Sequence, residues 1–250
     1  MSGKTITLRP EFSALGRRKP ISPFLTRLIR AVLEERRRRG LASAQTGLEY
    51  GCGQLRNLKE LKRHFPQVVL VDTEFQLNRV HDFAGKPLTA GQYVRRHYKD
   101  GSVTVMSDVD FRASDLRPDV IFSINVMDVV PPQTRRSILS SIRDHLPLTG
   151  QFVSLVPRND SRTLNLCRHA LAYRDGHVFS NHGAHTFYKN WPDTTLQRLY
   201  RIYSLEVIRD LSRYRHSCLI CMGTSISKRP RWKRRPSLSA RKLVLSRAGA

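Results

Sequence analysis

The fold of this chain is most strongly constrained by an alternation of strand-like and helix-like segments. Runs rich in apolar and β-branched residues occur at residues 46–50, 67–72, 102–106, 119–124 and 150–156. Segments with the apolar spacing of helices lie between them, most clearly at 55–65 and 131–146, and a helix is also predicted over 74–83. Strands that alternate with helices build a parallel sheet with helices on both faces. Two further strand-like segments, 204–211 and 216–224, are separated by a short turn, which predicts an antiparallel pair at the end of this α/β fold.

Periodicity and charge divide the 250 residues into three regions. Residues 1–40 contain a basic arm and an amphipathic helix, which has a capping serine, a proline in its first turn and a terminal glycine. Residues 41–225 contain the strand and helix alternation and form the predicted main domain. Residues 226–250 form a basic tail, and nine lysines or arginines with no acid in its last 23 residues predict disorder from Lys228 onward.

The formal net charge is +24 at pH 7. A basic surface attracts polyanions by counterion release, so a nucleic-acid partner is predicted, although the charge also serves solubility. The tail places Trp232 among basic residues, a pattern that suits a nucleic-acid backbone and a stacked base, an anionic membrane surface, or a plain solvated tail. The run Arg36–Arg39 either complements the negative end of its helix dipole or contacts phosphate.

The environment predicted from the sequence is the cytoplasm. No apolar run approaches the length of a membrane span, and the N-terminus lacks the apolar core of a secretory signal, so no stable membrane association is expected. Four cysteines in a chain of this length do not indicate a disulfide scaffold.

A glycine turn and two acids form the clearest candidate site. The first strand-like run contains Glu49 and is followed by Gly51 and Gly53. The second ends in Asp72, which lies 21 residues after Gly51. Ligands of parallel sheets bind beyond the carboxyl ends of the strands, where glycines permit a close approach and an acid at about this spacing binds ribose hydroxyls.

These residues resemble the motifs of the class I, Rossmann-like S-adenosylmethionine-dependent methyltransferases. "LEYGCGQL" is similar to the first motif, "VVLVDTEF" to the second, "MSDVDF" to the third and "DVIFSINVMDVVPP" to the fourth. The resemblance covers about residues 46–224. It implies a Rossmann-like, seven-stranded, mostly parallel sheet with a terminal antiparallel strand, helices on both faces, and S-adenosylmethionine as cofactor.

The resemblance also implies roles for individual residues. Glu49 is expected near the amino-acid moiety of the cofactor, Gly51 and Gly53 against it, and Asp72 on the ribose. Asp108 and Val109 are expected near the adenine, and Asn125 and Val126 on the reactive side. Each polar residue also has a simpler interpretation, as a turn or helix cap (Glu49, Asp72), a loop acid (Asp108) or a strand-end hydrogen-bonding group (Asn125).

The sequence departs from the family pattern at two positions. Leu55 replaces the third glycine of the first motif, and Leu148–Thr149–Gly150 replaces a Pro-Gly-Gly sequence. Leu55 is expected to crowd the methionine end of the cofactor.

The acceptor site is predicted in residues 175–191, a polar and aromatic insertion expected to be irregular. His182, His185 and Tyr188 are the candidate catalytic residues, because histidine titrates near neutrality and aromatic rings stack on bases. The alternative is a surface loop whose aromatic side chains pack on the domain. No metal site is predicted, because the histidine spacings fit no standard ligand set, and Cys218 and Cys221 point to opposite faces of a strand.

The sequence therefore predicts a methyltransferase. Neither the Asn/Asp-Pro-Pro-aromatic motif of exocyclic amino methylation nor the Pro-Cys nucleophile of cytosine-carbon methylation is present. The predicted acceptor is nucleic acid, with RNA favoured by charge. The alternatives are a small-molecule acceptor and a non-catalytic nucleic-acid-binding module on the same fold.

Overall fold

The computed structural model describes residues 5–8, 23–157, 170–181, 184–212, 216–224 and 243–244. Its helices are α1 (Pro23–Arg38), α2 (Leu58–His64), α3 (Glu74–Asn78), α4 (Ala90–His97), α5 (Asp108–Ala113), α6 (Pro132–His145) and α7 (Asp193–Ile202). Its strands are β1 (Thr5–Ile6), β2 (Thr46–Tyr50), β3 (Gln67–Asp72), β4 (His81–Asp82), β5 (Pro87–Leu88), β6 (Val103–Ser107), β7 (Val120–Ile124), β8 (Gln151–Pro157), β9 (Leu171–Tyr173), β10 (Gly176–Asn181), β11 (Ala184–Tyr188), β12 (Leu205–Asp210), β13 (His216–Gly223) and β14 (Leu243–Val244).

A seven-stranded sheet in the order β12-β13-β8-β7-β2-β3-β6 forms the centre of the molecule. The five strands from β8 to β6 in that order are parallel to one another, whereas β13 is antiparallel to both of its neighbours. The predicted α/β fold with a terminal antiparallel strand is confirmed. The chain leaves β2 toward β3 and β6 and then crosses to β7 and β8, so the order reverses between β2 and β7. Ligands of open α/β sheets bind in the crevice at such a point.

Two layers of buried side chains cover the two faces of the sheet. Leu70 and Phe122 pack toward α1, α2 and α4, whereas Val71 and Ile121 pack toward α5, α6 and α7. Strands that are buried on both faces are continuously apolar, and this explains the uninterrupted "VVLV" run of β3. Helix α1 belongs to the first layer, where its residue Ile29 is fully buried.

The arginine run at the end of α1 has a structural role. Arg36 is buried and donates to the carbonyl oxygens of Ala42, Asp119 and Thr149. Arg38 and Arg39 both bind the carboxylate of Glu35. Asp119 and Thr149 precede β7 and β8, so Arg36 joins α1 to the amino ends of the strands, at the edge of the sheet opposite Gly51 and Asp72.

Three segments differ from the sequence-based expectations. The helix predicted over 74–83 ends at Asn78, because the chain then becomes extended and forms the β4–β5 hairpin. The insertion predicted to be irregular contains strands β10 and β11, which form an antiparallel sheet with β9 just before it. Within the tail predicted to be disordered, β14 pairs with β1.

Strand β11 of the insertion was not predicted from the sequence because the burial of its side chains does not alternate. Thr186, Phe187 and Tyr188 are consecutive in β11 and all three are buried. The end of β11 is covered on both faces, so the period of two that identifies a half-buried strand is lost there.

Helices capable of crossing a lipid bilayer are absent from the described ranges, where none is both long and apolar enough.

Candidate functional site

The turn after β2 is held by backbone hydrogen bonds and left-handed glycines. The N–H of Gly51 donates to the carbonyl of Val71 at 2.7 Å. Gly51 has φ +82° and Gly53 has φ +50°, a region that L side chains rarely adopt. A Cβ on Gly51 would lie 2.3 Å from Cγ2 of Val126, whereas a Cβ on Gly53 would have only Gln76 Nε2 within 4 Å, at 3.9 Å. Gly51 therefore permits close contact across the β2–β7 crevice, and Gly53 leaves an open concavity.

Asp72 connects the glycine turn to the end of β3. Its Oδ2 accepts from the N–H of Gly53 at 2.7 Å, and its Oδ1 accepts from the N–H of Thr73 at 2.8 Å. The helix-cap interpretation is therefore incomplete, because one carboxylate oxygen holds the turn and the other holds the start of α3.

Glu49 lies beneath the same turn and is only 2% exposed. The side-chain amide of Asn57 donates to its Oε1 at 2.6 Å, while Oε2 has no hydrogen-bond partner within the described residues. Burial raises the pKa of Glu49 to about 8; the Asn57 hydrogen bond opposes this rise and the nearby Asp72 adds to it. The site thus holds a buried carboxyl with one oxygen still able to bind a donor.

Leu55, which replaces the third glycine, points away from this concavity. It adopts φ +57° and its side chain is buried in the layer below the sheet, beside Leu58. A leucine in the left-handed region costs about 1–2 kcal/mol, and burying its side chain offsets that cost. The expectation that Leu55 crowds the methionine end is wrong, because the left-handed backbone directs the side chain into the core.

The other predicted cofactor residues lie at the carboxyl ends of β6 and β7. Asp108 begins α5 and pairs with Arg112 at 3.0 Å, and Val109 beside it is 60% exposed although apolar. Asn125 follows β7 with φ +56° and is exposed. Val126 contacts Gly51 as described above. The structure therefore brings all eight predicted cofactor residues to one edge of the sheet.

The predicted catalytic residues are not brought together. His182 lies outside the described residues. His185 and Tyr188 are three residues apart in β11, so their side chains leave opposite faces of the strand. His185 is exposed, and its backbone bridges Leu8 of the N-terminal segment, whereas Tyr188 is buried. The residue opposite Tyr188 across the strand pair is His177.

Arg135 of α6 fixes the insertion above the carboxyl end of β7. Its guanidinium donates to the carbonyls of Met127 and Val130 and to the carboxylate of Asp175, all within 3.1 Å. It also lies 4.5 Å from the ring centroid of Trp191, and the indole N–H of Trp191 donates to the same Met127 carbonyl. A buried cation with these partners rigidly positions the insertion beside the β2–β7 crevice.

A family comparison identifies this arrangement. The sequence model of a family described as a methyltransferase domain matches residues 17–211. The chain belongs to this methyltransferase family. Its fold and its cofactor, S-adenosylmethionine, are those of class I methyltransferases, as the sequence motifs predicted.

Known proteins similar to this methyltransferase are distant in sequence. An uncharacterized Escherichia coli K12 protein, YmfD, is 26% identical over 167 residues, which cover 66% of this chain and 74% of YmfD. A Clostridium acetobutylicum S-adenosylmethionine-dependent methyltransferase superposes with a TM-score of 0.58 at 10% identity, over 82% of this chain and 94% of that one. The Burkholderia thailandensis 1,6-didemethyltoxoflavin-N1-methyltransferase superposes with a TM-score of 0.54 at 15% identity, over 80% of this chain and 78% of that one. That structure contains 1,6-didemethyltoxoflavin and S-adenosylhomocysteine.

Two polar residues of the methyltransferase were missed by sequence reasoning. Asp128, four residues after β7, is 3% exposed, and burial raises its pKa to about 7. Its Oδ1 has no hydrogen-bond partner in the described ranges. Gln76 of α3 is buried beside Gly53. Asp128 could have been found from its place after the fourth predicted strand, but Gln76 carries no sequence signal that separates it from an ordinary helix residue.

The cysteine pair lies in β13, where Cys218 and Cys221 face opposite layers as predicted. Groups of three or more potential metal ligands are absent from the described residues.

Glu49→Gln is expected to raise the Tm of the methyltransferase by roughly 5–10 °C at pH 9 and to leave it unchanged near pH 4. The folded pKa of Glu49, about 8, lies above its ordinary value of 4.5. Between these values the unfolded state ionises while the folded state keeps its proton, so the wild type loses stability as pH rises. Glutamine removes this loss. Thermal unfolding of both proteins from pH 4 to pH 9 measures it.

Glu60 provides a control of opposite sign. It is also buried, but side-chain hydrogen bonds from Thr26, Arg63 and His64 lower its pKa despite the burial. Glu60→Gln is therefore expected to destabilise the protein at neutral and high pH. If Glu49→Gln shifts the Tm equally at pH 4 and pH 9, ionisation of Glu49 is not the cause.

Proposed function

We propose that this methyltransferase holds S-adenosylmethionine at the β2–β7 crevice and transfers its methyl group to a small molecule bound beneath the insertion. The observation that carries the proposal is the open space at Gly53, whose N–H binds the carboxylate of Asp72. The buried Glu49, which has an unpartnered oxygen, is close enough to Asp72 for that carboxylate to raise its pKa.

The residues present fit the cofactor. Asp72 suits the ribose hydroxyls, because its carboxylate accepts hydrogen bonds from donors. Glu49 suits the ammonium of the methionine moiety, because a nearby cation returns a buried carboxyl to its ionised form. The exposed apolar side chain of Val109 suits the face of the adenine, with Asp108 at its edge. Gly51, Asn125 and Val126 line the side of the crevice from which the methyl group leaves.

Methyl transfer demands alignment more than activation from the protein. When bound, the cofactor supplies a methyl group on a positively charged sulfur, which is already a good leaving group. The protein positions the acceptor in line with it and excludes water. Arg135 and Trp191 hold the insertion in place for both tasks.

Asp128 is proposed to receive the proton that the acceptor loses. Its Oδ1 is unpartnered, and a pKa of about 7 suits a general base at neutral pH. The charged groups around it are Arg135 of α6 and, through that residue, Asp175 of the insertion. Tyr188 is proposed to line the acceptor pocket, and roles for His182 and His185 stay predictions.

A small-molecule acceptor is supported by enclosure and by similarity. Arg135 holds the insertion beside the crevice, and an acceptor bound beneath the insertion leaves little room for a polymer. The similar Burkholderia enzyme binds a small molecule, 1,6-didemethyltoxoflavin.

Nucleic acid remains the second candidate, and the observation that favours it is charge on one face. Helices α1, α2 and α4 contain ten lysines or arginines and three glutamates. The exposed cations on this face that form no ion pair in the described part of the chain are Arg27, Arg30, Arg37, Lys59, Arg95, Arg96 and Lys99.

The test is transfer of labelled methyl groups to a cell extract and to purified RNA. We expect label in the small-molecule fraction and no effect of prior nuclease treatment. Label that appears only in RNA and disappears after nuclease treatment would establish the second candidate. The absence of transfer in both, with S-adenosylhomocysteine bound, would contradict enzymatic activity on either class.

Asp128→Asn is expected to lower kcat about 100-fold, because a positioned base typically contributes a factor of this size. The wild-type rate should rise with pH through about 7, as Asp128 ionises, and the variant should lose that limb. Affinity for S-adenosylhomocysteine should not change. A variant that keeps the same pH–rate profile would exclude Asp128 as the base.

A further inference from the structure

Two helices of this protein begin with the same four-residue pattern. Thr73 and Gln76 stand at the start of α3, and Thr89 and Gln92 stand at the start of α4. In both, threonine is the N-cap residue and glutamine is the third residue of the helix. This is the pattern of a capping box, in which the two side chains bind each other's backbone N–H groups.

The capping box of α4 is complete. The N–H of Gln92 donates to Thr89 Oγ1 at 3.2 Å, and the N–H of Thr89 donates to Gln92 Oε1 at 2.9 Å. Gln92 is exposed. Its side-chain oxygen caps the helix terminus, as the sequence pattern predicts.

Only half of the box forms at α3. The N–H of Gln76 donates to Thr73 Oγ1 at 3.3 Å, but the N–H of Thr73 donates to Asp72 Oδ1 instead, at 2.8 Å. The carboxylate of Asp72 therefore takes the place that the glutamine side chain occupies in α4. Gln76 is released from its capping role.

The released side chain turns inward. Gln76 is 2% exposed, and neither its Oε1 nor its Nε2 has a hydrogen-bond partner in the described part of the chain. Its Nε2 lies 3.9 Å from the position of a Cβ on Gly53, and the N–H of Gly53 binds the other oxygen of Asp72. Burying a primary amide without partners is unfavourable.

We propose that the Gln76 amide binds the ribose of S-adenosylmethionine together with Asp72. Each ribose hydroxyl can donate one hydrogen bond and accept others. The carboxylate of Asp72 only accepts, whereas Gln76 Nε2 donates to a hydroxyl oxygen and Oε1 accepts from a hydroxyl. The pair therefore satisfies both halves of the diol. This inference depends on the cofactor position given under the proposed function.

Gln76→Met tests the proposal, with Gln92→Met as the matched control. Methionine keeps the length of glutamine without its amide. We expect Gln76→Met to weaken binding of S-adenosylhomocysteine roughly three- to tenfold, the worth of one neutral hydrogen bond, and to raise the Tm of the ligand-free protein. Gln92→Met should do the reverse, with a lower Tm from the lost cap and unchanged affinity. Calorimetric titration and thermal unfolding give both quantities.

A cofactor analogue identifies the group that Gln76 binds. S-adenosylhomocysteine lacking one ribose hydroxyl, tested as the 2′-deoxy and the 3′-deoxy form, should lose less affinity in Gln76→Met than in the wild type for one of the two forms. If Gln76→Met and the wild type lose the same affinity for each of the two analogues, the ribose assignment is overturned. Gln76→Leu replaces Gln76→Met if the latter does not fold.

The outcomes separate this inference from the proposed function. A wild type that does not bind S-adenosylhomocysteine would contradict both. A wild type that binds, with Gln76→Met binding equally well, would overturn the role of Gln76 alone. A Gln76→Met protein that is destabilised without ligand would show that the amide supports the fold instead.

Discussion

Gly51→Ala should lower the free energy of unfolding by about 4 kcal/mol. The new Cβ would lie 2.3 Å from Cγ2 of Val126, and Gly51 has φ +82°. The left-handed backbone costs an alanine about 1–2 kcal/mol, and overpacking adds about 1–3 kcal/mol. The β2 turn and the β7 loop would have to separate, which also opens the crevice. Urea unfolding monitored by circular dichroism measures the change.

Two variants divide this effect into its causes. Gly101 also has a left-handed backbone, with φ +71°, but a Cβ there would have no atom within 4 Å. Gly101→Ala should therefore lower the free energy of unfolding by only about 1–2 kcal/mol. Val126→Ala removes the atom that clashes, and the double variant should recover part of the loss. If Gly51→Ala costs no more than Gly101→Ala, the contact between Gly51 and Val126 is not tight in solution.

Asp72→Ala is expected to weaken binding of S-adenosylhomocysteine about a thousandfold. Hydrogen bonds to a charged group contribute about 1.5–3 kcal/mol each, and the proposed ribose contact contains two. The substitution also removes the acceptors of the Gly53 and Thr73 N–H groups, so the turn that faces the cofactor loses its support. Isothermal titration calorimetry measures the affinity.

Asp119 supplies a matched control for the structural part of this effect. Its carboxylate also accepts from two backbone N–H groups, those of Gln45 and Thr46, at 2.8 and 3.0 Å. It lies at the amino end of the strands, away from the proposed cofactor. Asp119→Ala should therefore lower stability and leave the affinity unchanged. An equal loss of affinity in both variants would mean that Asp72 acts only by holding the fold.

The two predictions concern different parts of one crevice. Gly51 sets the distance between the β2 turn and the β7 loop, and Asp72 sets the position of the turn relative to α3. Gly51 packs against Val126, and Asp72 accepts a hydrogen bond from Gly53. A cofactor at this place would stabilise both contacts, because a ligand that binds only the folded state adds its binding energy to stability.

The sequence alone showed which strands carry the polar residues and the glycine turn of this site. β3 is continuously apolar because both of its faces are buried, and it ends in Asp72 because its carboxyl end leaves the core. Glycines after β2 mark a turn that side chains would obstruct. These signals are local, since burial and backbone conformation are properties of a few consecutive residues. The parallel sheet and the antiparallel end followed from them, whereas the eight cofactor candidates also required the resemblance to the methyltransferase motifs.

Only the tertiary structure decided what distant residues do to one another. In the sequence Arg36 is one member of a basic run, but two of the carbonyl oxygens to which it donates lie 83 and 113 residues away along the chain. The direction of the Leu55 side chain depends on a left-handed backbone conformation, which a leucine in the sequence does not predict. Strand β11 of the insertion lacks a period of two because both faces of its last three residues are buried.

The glutamines show the same limit most directly. Gln76 and Gln92 occupy equivalent positions in the same local pattern, and local sequence predicts the same capping role for both. Asp72 takes that role at α3 because the end of β3 places its carboxylate beside Thr73, and the glycine turn places Gly53 beside the released amide. A local pattern fixes which hydrogen bonds a side chain can make, and the packing of separate strands and helices decides which of them it makes.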